Sequence, residues 1–277
     1  MAATTSATLD DLFANIIAQA RFTAEQQSLM LGLVTPYNIG ATPGKTIQIP
    51  KYPSIAAAAL TEGTDMSSTT VSTSSVTVTI AEVGAQVLLT DLARDGHGNP
   101  ATELGTVLGS AIAKKMDQDL LALFDGFSTS LGGAGTEITV ADIFKAVAIL
   151  QNNNAPGSMA AVIHPFTAYQ LKANLTNTFA NPNGGDAQNE AMRSSFVGSL
   201  GGVDIFQSSN LTVDGNDDVK GAVFSREALA IALKRDFQIE TQRDASLRAT
   251  ELNATAVYGV GELDDTYGVE LFFDAAV

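Results

Sequence analysis

The chain has 277 residues, of which 45% are hydrophobic and only 16% are charged, with a formal net charge of −15 and no cysteine. The acidic balance argues against a role in binding nucleic acid, which requires a basic face, and the lack of thiols excludes disulfides and cysteine-ligated zinc. The length suffices for one large domain or two modest ones. Charged residues are scarcer than the roughly 25% of a typical soluble domain, and such a surface suits burial between subunits because charges are costly to desolvate.

The first predicted element is an N-terminal amphipathic arm. Apolar residues recur at helical spacing from Leu9 to Ala20, and Thr35-Pro36 then breaks the pattern. Residues 1–8 are small and polar, without the basic start of a secretory signal, and no apolar run reaches the length of a membrane span. We therefore assign residues 1–43 to an arm and expect neither a signal peptide nor a membrane segment.

Residues 44–90 are predicted to form a long two-stranded ribbon. The first strand, Gly44 to Ile55, alternates apolar and polar residues but contains Pro50 and Pro53, so it is an edge or lone strand. The second strand runs from Val76 to Leu89, and a loop rich in Thr and Ser joins the two. An isolated ribbon is marginally stable in water, so it needs a partner surface. We expect that surface to belong to another copy of the chain.

A long amphipathic helix is predicted from Asn99 to Gly126. Asn99 can cap it, Pro100 fits its first position, and Gly126 can end it. Its apolar residues form one stripe at near four-residue spacing: Leu104, Leu108, Ile112, Met116, Leu120, Leu123 or Phe124, and Phe127. Such a helix is about 39 Å long, which suits a structural spine.

From residue 139 onward the pattern is that of an α/β domain followed by further strands. Thr139 and Asp142 have the spacing of a helix start, and Pro165 opens a second helix. We predict helices at 139–151 and 165–175 and strands at 159–163, 203–206, 222–224, 229–233, 252–260 and 267–273. The polar loop 176–190 and the acidic residues of 251–277 are expected to face solvent.

One motif resembles a nucleotide-binding P-loop. Gly40-Ala-Thr-Pro-Gly44-Lys45-Thr46 has three residues between the glycines, whereas the P-loop has four. A P-loop must also open a helix whose N-terminal amides hold the phosphates, and an extended segment follows here. Both departures argue against nucleotide binding here, so a P-loop enzyme is kept only as an alternative.

The other candidate chemical groups also lack a required part. Neither His97 nor His164 has a second ligand at zinc spacing. Asp214–Asp218 lacks the glutamate of a calcium loop, which favours an Asx-type turn. Asp117 and Asp119 lie on different sides of the long helix, so they do not form an acid/base pair. We predict no catalytic residue, metal or cofactor, and hence no enzyme.

The order of these elements resembles the major capsid proteins of tailed bacteriophages, which have the HK97-like fold. Local sequence that supports the resemblance is Gly44-Lys-Thr-Ile-Gln-Ile-Pro50, Leu60-Thr-Glu-Gly63, Ile80-Ala-Glu-Val83, Ala113-Lys-Lys-Met-Asp-Gln-Asp-Leu-Leu121 and Val162-Ile-His-Pro-Phe-Thr-Ala-Tyr169. The resemblance implies an α+β fold made of an N-terminal arm (1–43), an extended β-ribbon called the E-loop (44–90), a peripheral domain with the spine helix (91–138 and 223–277) and an α/β axial domain (139–222).

The resemblance also implies a function and its partners. The chain would self-assemble through pentamers and hexamers into an icosahedral shell, the virion capsid, built in the bacterial cytoplasm around double-stranded DNA that it does not bind sequence-specifically. A separate scaffolding protein, a portal and a decoration protein are the implied partners, and no membrane is involved. The residues placed by position at contacts between subunits are Lys45, Lys51, Tyr52, Glu62, Asp65, Arg94, Asn181 and Asn183. Some members form isopeptide cross-links through an E-loop lysine, and we predict none for Lys45 or Lys51.

Three alternatives stay open at the level of sequence. An encapsulin-like cellular nanocompartment would have the same fold but would need a groove for cargo peptides. A P-loop enzyme would bind nucleotide at residues 40–46. A β-rich surface or tail protein would lack the long helix.

Overall fold

A computed structural model describes residues 28–40, 43–92 (except 54, 56, 58, 64, 66, 67 and 69), 101–179 and 199–276. Its strands are β1 (Thr35–Asn38), β2 (Thr46–Lys51), β3 (Ser74–Thr79), β4 (Ala81–Thr90), β5 (Ser130–Gly132), β6 (Met159–Ile163), β7 (Ser199–Leu200), β8 (Val203–Gln207), β9 (Asp218–Ser225), β10 (Leu229–Asp244), β11 (Ala249–Glu262) and β12 (Gly268–Asp274). Its helices are α1 (Ala101–Leu121), α2 (Val140–Asn152) and α3 (Pro165–Phe179). None of the helices described there is long and apolar enough to cross a bilayer.

The first sheet is four-stranded, in the order β1-β10-β11-β4. β10 and β11 form a long antiparallel hairpin, β4 pairs antiparallel with β11, and β1 pairs parallel with β10. Helix α1 lies across β4 and β11. The stripe predicted on α1 is the buried one, because Leu108, Ile112, Leu120 and Phe124 all belong to the core between helix and sheet.

The second sheet is six-stranded, in the order β5-β12-β9-β6-β8-β7, and α2 packs on it. The predicted start of α2 is confirmed, since Thr139 and Asp142 form a capping box in which Asp142 accepts from the Thr139 amide at 3.0 Å. Strand β9 joins the two cores: Val223 packs with α2, while Ala222 and Phe224 pack in the core of the first sheet. The boundary that we placed between residues 222 and 223 falls inside this strand.

The third sheet is a hairpin of β2 and β3 alone, with Thr46 opposite Thr79 and Lys51 opposite Ser74. The prediction that all of residues 44–90 form one ribbon is therefore wrong for residues 81–90, which pair with β11. The strand is interrupted at buried Ile80, whose amide donates to the Lys45 carbonyl at 2.8 Å. Beyond that break, β4 leaves the hairpin and joins the first sheet.

Several element boundaries also differ from the predictions. The long helix is α-helical to Leu121 and continues as a 3-10 helix to Gly126, the predicted stop. β1 contains Pro36, which we took as a break; it lies in an edge strand, where proline is tolerated. α3 extends to Phe179, four residues into the predicted loop. Outside the described residues lie the arm pattern of 9–20, Arg94, His97, the Asn99-Pro100 start and residues 181 and 183.

Candidate functional site

The loop that joins β2 and β3, residues 52–73, exposes apolar side chains. Every described residue of this loop is exposed and none lies in regular secondary structure. Tyr52 is 70% exposed, Leu60 66% and Ile55 59%. Each such side chain gains roughly 1.5–3 kcal/mol when it is buried. We call residues 52–73 the hairpin loop; no described residue of this chain covers its apolar side chains.

The base of the hairpin packs closely on two glycines of β11. Gly259 and Gly261 are on the same face of β11, because residues two apart in a strand point the same way. A Cβ atom at Gly259 would overlap the Thr79 carbonyl, and one at Gly261 would lie 2.7 Å from Cγ2 of Val78. Val78 itself is 1% exposed. Strand β3 is thus packed so closely on β11 that a larger residue cannot replace either glycine without displacing it.

Polar contacts hold both ends of the hairpin to the same chain. At its root, Nζ of Lys234 donates to the Gly44 carbonyl at 2.5 Å. At its far end, Nζ of Lys51 lies 2.5 Å from Oδ2 of Asp264, which is 8% exposed. Burial raises the pKa of Asp264, but hydrogen bonds from Lys51 and Thr266 outweigh this and hold its pKa below the usual value. The hairpin is therefore fixed on its own subunit, and only the hairpin loop projects.

We expect Gly259→Ala to loosen the hairpin without unfolding the subunit. The added methyl overlaps main-chain atoms of Thr79, and such overpacking costs about 1–3 kcal/mol. Hydrogen exchange should speed up in β2 and β3 and stay unchanged in α2. Gly215→Ala is the matched control, because no atom lies within 4 Å of its added Cβ. If β2 and β3 were equally protected from hydrogen exchange in both variants, Gly259 would not be what holds the hairpin in place.

The N-terminal segment is held by a buried carboxylate of the long helix. Asp117 is 1% exposed and accepts hydrogen bonds from the Ser28 hydroxyl at 2.9 Å and from the amides of Leu29 at 3.1 Å and Met30 at 3.2 Å. Asp119, two residues on, instead accepts from the Tyr258 hydroxyl at 2.8 Å. The prediction that the two carboxylates lie on different sides is confirmed, and Asp117 holds Ser28, Leu29 and Met30 against the long helix.

Asp117→Ala should release this segment. A hydrogen bond to a charged acceptor contributes about 1.5–3 kcal/mol, and bonds that share one carboxylate do not add, so we expect a loss of roughly 3 kcal/mol in the free energy of unfolding. Asp117→Asn keeps one acceptor oxygen and should lose less. The exposed Lys114→Ala on the same helix is the control. Urea denaturation measures all three, and a loss for Asp117→Ala no larger than that of Lys114→Ala would refute the anchor.

Five of the predicted contact residues lie on the hairpin or its loop. Lys45 is exposed at the root, Lys51 pairs with Asp264, and Tyr52, Glu62 and Asp65 are exposed in the hairpin loop. Arg94, Asn181 and Asn183 lie outside the described residues.

Sequence reasoning missed the residues that seat the hairpin. The alternation Gly259-Val-Gly261 in a strand is a readable sign of close backbone approach, which we did not use. Asp264 was assigned to a solvated acidic stretch, and that prediction is wrong for Asp264 and for Glu270, which is 6% exposed. Both acids lie beside a lysine that is distant in sequence, Lys51 and Lys220 respectively. Sequence spacing cannot reveal such a pairing.

The metal and nucleotide sites considered from the sequence are not formed among the described residues. No group of His, Asp and Glu in the described parts of the chain is arranged to hold a metal ion. Thr46, which would open the helix of a P-loop, instead begins strand β2. The turn at Asp214 is of the predicted Asx type, since its Oδ1 accepts from the amides of Asn216 at 2.8 Å and Asp218 at 2.9 Å.

Comparison with known proteins agrees with this picture. A family model described as phage capsid protein matches residues 70–270. The chain belongs to the phage capsid protein family. The sequence-based recognition of a phage major capsid protein is thereby confirmed. The match spans β4, α1 and nearly all of both sheets, so it covers the body of this capsid protein and not one motif.

A relative and two solved structures illustrate the likeness. This capsid protein is 25% identical over 234 residues to the major capsid protein of Staphylococcus phage phiMR11, covering 83% of this chain and 81% of that one. The capsid structure of the cyanophage P-SCSP1u matches it with a TM-score of 0.70 at 19% identity, over 90% of this chain and 89% of that one. The structure of Mycobacterium phage Che8 matches with a TM-score of 0.69 at 21% identity, over 88% and 90%.

Proposed function

We propose that this capsid protein is the subunit of an icosahedral shell, built from pentamers and hexamers, that encloses double-stranded phage DNA. The observation that carries the proposal is the exposed hairpin loop on a firmly seated hairpin. A loop with apolar side chains on a fixed base is ready to bind a neighbouring subunit at little cost in ordering. Each contact is weak, but a closed lattice makes many at once.

We assign the parts of the fold to roles in the shell as follows. Residues 44–90 are the E-loop, in which the hairpin loop reaches the neighbour and β4 is the root in the body. Residues 101–126 are the spine helix. Residues 139–222 form the axial domain, and 91–138 with 223–277 form the peripheral domain. Strand β9 serves both, because its alternate residues pack in the two cores, and this supports a rigid connection between them.

The net charge of the chain supports a shell that binds the packaged DNA only weakly. A subunit with a net charge of −15 binds DNA weakly, so the packaged molecule can slide during filling. A separate scaffolding protein, a portal and a decoration protein complete the proposed partners. The proposed role needs no enzymatic activity and no cofactor. Lys51 is paired with Asp264 of its own chain, and this argues against a cross-link through Lys51.

Expression of the chain, alone and with its candidate scaffolding protein, tests the proposal. Negative-stain electron microscopy should show regular closed particles, and particles from infected cells should contain double-stranded DNA. Particles that contain an enzyme as cargo would support the encapsulin-like alternative instead. A chain that stays monomeric under both conditions would refute the proposal.

A further inference from the structure

The two ends of the β2–β3 hairpin are attached to the body by different kinds of contact. At the root, Val78 packs on the glycines of β11, and Nζ of Lys234 donates to the Gly44 carbonyl at 2.5 Å. Neither contact contains a group that titrates in acid. At the far end, β2 finishes at Lys51, whose Nζ lies 2.5 Å from Oδ2 of Asp264. An ion pair of this kind is lost when its carboxylate is protonated, so the far end is the part whose attachment can change.

The turn that receives Lys51 carries three carboxylates. Glu262 ends β11, and Asp264 and Asp265 follow it in the turn. Oδ1 of Asp265 accepts from the Ser128 amide at 2.7 Å. Burial raises the pKa of Glu262, repulsion from Asp265 and Asp264 raises it further, and attraction to Lys51 lowers it. Lys51 is therefore held by direct contact with Asp264 and, through space, by the charge of Glu262.

Acid removes these two negative charges in a fixed order. Burial acts to raise the pKa of Asp264, but hydrogen bonds from Lys51 and Thr266 outweigh it and hold the pKa below its usual value. As the pH falls, Glu262 therefore takes up its proton first and Asp264 takes up its proton last. Lys51 favours the ionised form of both carboxylates, so proton uptake by either one weakens the hold on Lys51. The attachment is thus strongest at neutral pH and is lost as the pH falls.

The other charged groups around this turn do not replace Lys51. Asp125, in the 3-10 helix that packs on the end of β11, pairs with Lys220. Arg226 and Glu227 precede Ala228, whose carbonyl accepts from the turn, and both are exposed. Within the part of the chain that the structure describes, the cation paired with this turn comes from the hairpin.

We infer that the ion pair of Lys51 with the turn 262–265 is an acid-released latch, which holds the far end of the hairpin at neutral pH and frees it when Glu262 and Asp264 are protonated. The freed hairpin stays attached at its root, where Val78 packs on glycine. Because the hairpin loop begins directly after Lys51, release changes the direction in which the loop projects. The latch acts within one subunit, so the inference does not depend on the proposed shell.

Hydrogen exchange of the unassembled subunit tests the latch. The protection factor compares the measured exchange rate with the intrinsic one, so it removes the pH dependence of exchange itself. At about pH 7, Lys51→Met should lower the protection of residues 49–51 and 74–76 about three- to tenfold, because Lys51 is half-exposed and its partner is buried. Lys45→Met, exposed at the root of the same hairpin, is the matched control and should leave this protection unchanged. Equal protection in the two variants would overturn the inference.

The response to acid separates a titrating latch from a fixed contact. Between about pH 7 and about pH 4, the unaltered subunit should lose protection at residues 49–51 and 74–76 relative to α2, and Lys51→Met should show no such loss. Glu262→Gln removes one charge at neutral pH, so it should lower this protection already at about pH 7, by less than Lys51→Met does. It should add nothing when the two substitutions are combined. Constant protection in the unaltered subunit, or an equal acid loss in Lys51→Met, would overturn the inference.

Discussion

Removing the apolar side chains of the hairpin loop is expected to abolish shell assembly while leaving the subunit folded. We propose the replacement of Tyr52, Ile55, Leu60 and Val71 by serine in a single variant. All four are exposed, so their loss removes little buried area from the isolated subunit, and its free energy of unfolding should change by less than about 1 kcal/mol. In the shell, each apolar side chain that is no longer buried costs roughly 1.5–3 kcal/mol of contact energy. This loss recurs at every subunit.

A control variant of the same loop separates apolar contact from loop composition. It replaces the polar residues Thr61, Ser68, Thr70 and Ser72 by alanine, which keeps the length and all apolar side chains. This control should assemble. Thermal melting, size-exclusion chromatography and negative-stain microscopy compare the two variants. Closed shells from the serine variant would show that the loop is not the contact we propose, whereas a fall in its melting temperature of many degrees would show that the loop packs on its own subunit.

Sequence predicted best the elements whose own residue pattern determines which of their side chains are buried. The stripe on α1 is decided by its own periodicity, because a helix shows one face to the core whatever sheet lies beneath. The choice between Leu123 and Phe124 was left open, and the structure selects Phe124, which is fully buried against Phe224 at a ring distance of 5.4 Å. That choice depends on a residue far away in the chain.

The elements that sequence missed are defined by a partner strand. β1 and β5 are short parallel strands whose hydrogen bonds go to β10 and β12, and neither alternates strongly enough to be read alone. β10 was predicted to end at Leu233 but continues to Asp244. Register shifts between Leu233 and Gln238 break its alternation, and the pairing with β11 carries the strand through this polar half.

The candidate site also has one part that the sequence predicted and one part that it missed. Its loop could be predicted, because a Ser/Thr-rich segment between two alternating runs is typical of a loop, and three of the predicted contact residues, Tyr52, Glu62 and Asp65, lie in it. The two glycines of β11 that the hairpin packs on carry a readable sign in their spacing, whereas the pairing of Asp264 with Lys51 joins residues too distant in the chain to be inferred from sequence. The contact at the N-terminal segment is similar, because nothing in the sequence around Asp117 shows that Ser28 and Met30 donate hydrogen bonds to its carboxylate.

The largest loss of stability is expected from Leu108→Asp in helix α1. Leu108 is 1% exposed in the core that joins α1 to the first sheet. Truncating such a leucine alone costs about 2–5 kcal/mol, and the carboxylate adds the penalty for burying a charge that has no partner. The total is comparable to the whole stability of a typical domain, roughly 5–15 kcal/mol. We therefore expect Leu108→Asp to be insoluble or unfolded at 25 °C.

The neighbouring residue provides the control, since Val107→Asp introduces the same carboxylate one position earlier in the same helix. Val107 is 56% exposed, so its substitution should change the free energy of unfolding by less than about 0.5 kcal/mol. Circular dichroism with urea denaturation measures both variants. A soluble Leu108→Asp subunit that melts like Val107→Asp would mean that α1 does not bury this face, and the body on which the hairpin is seated would then lack its core.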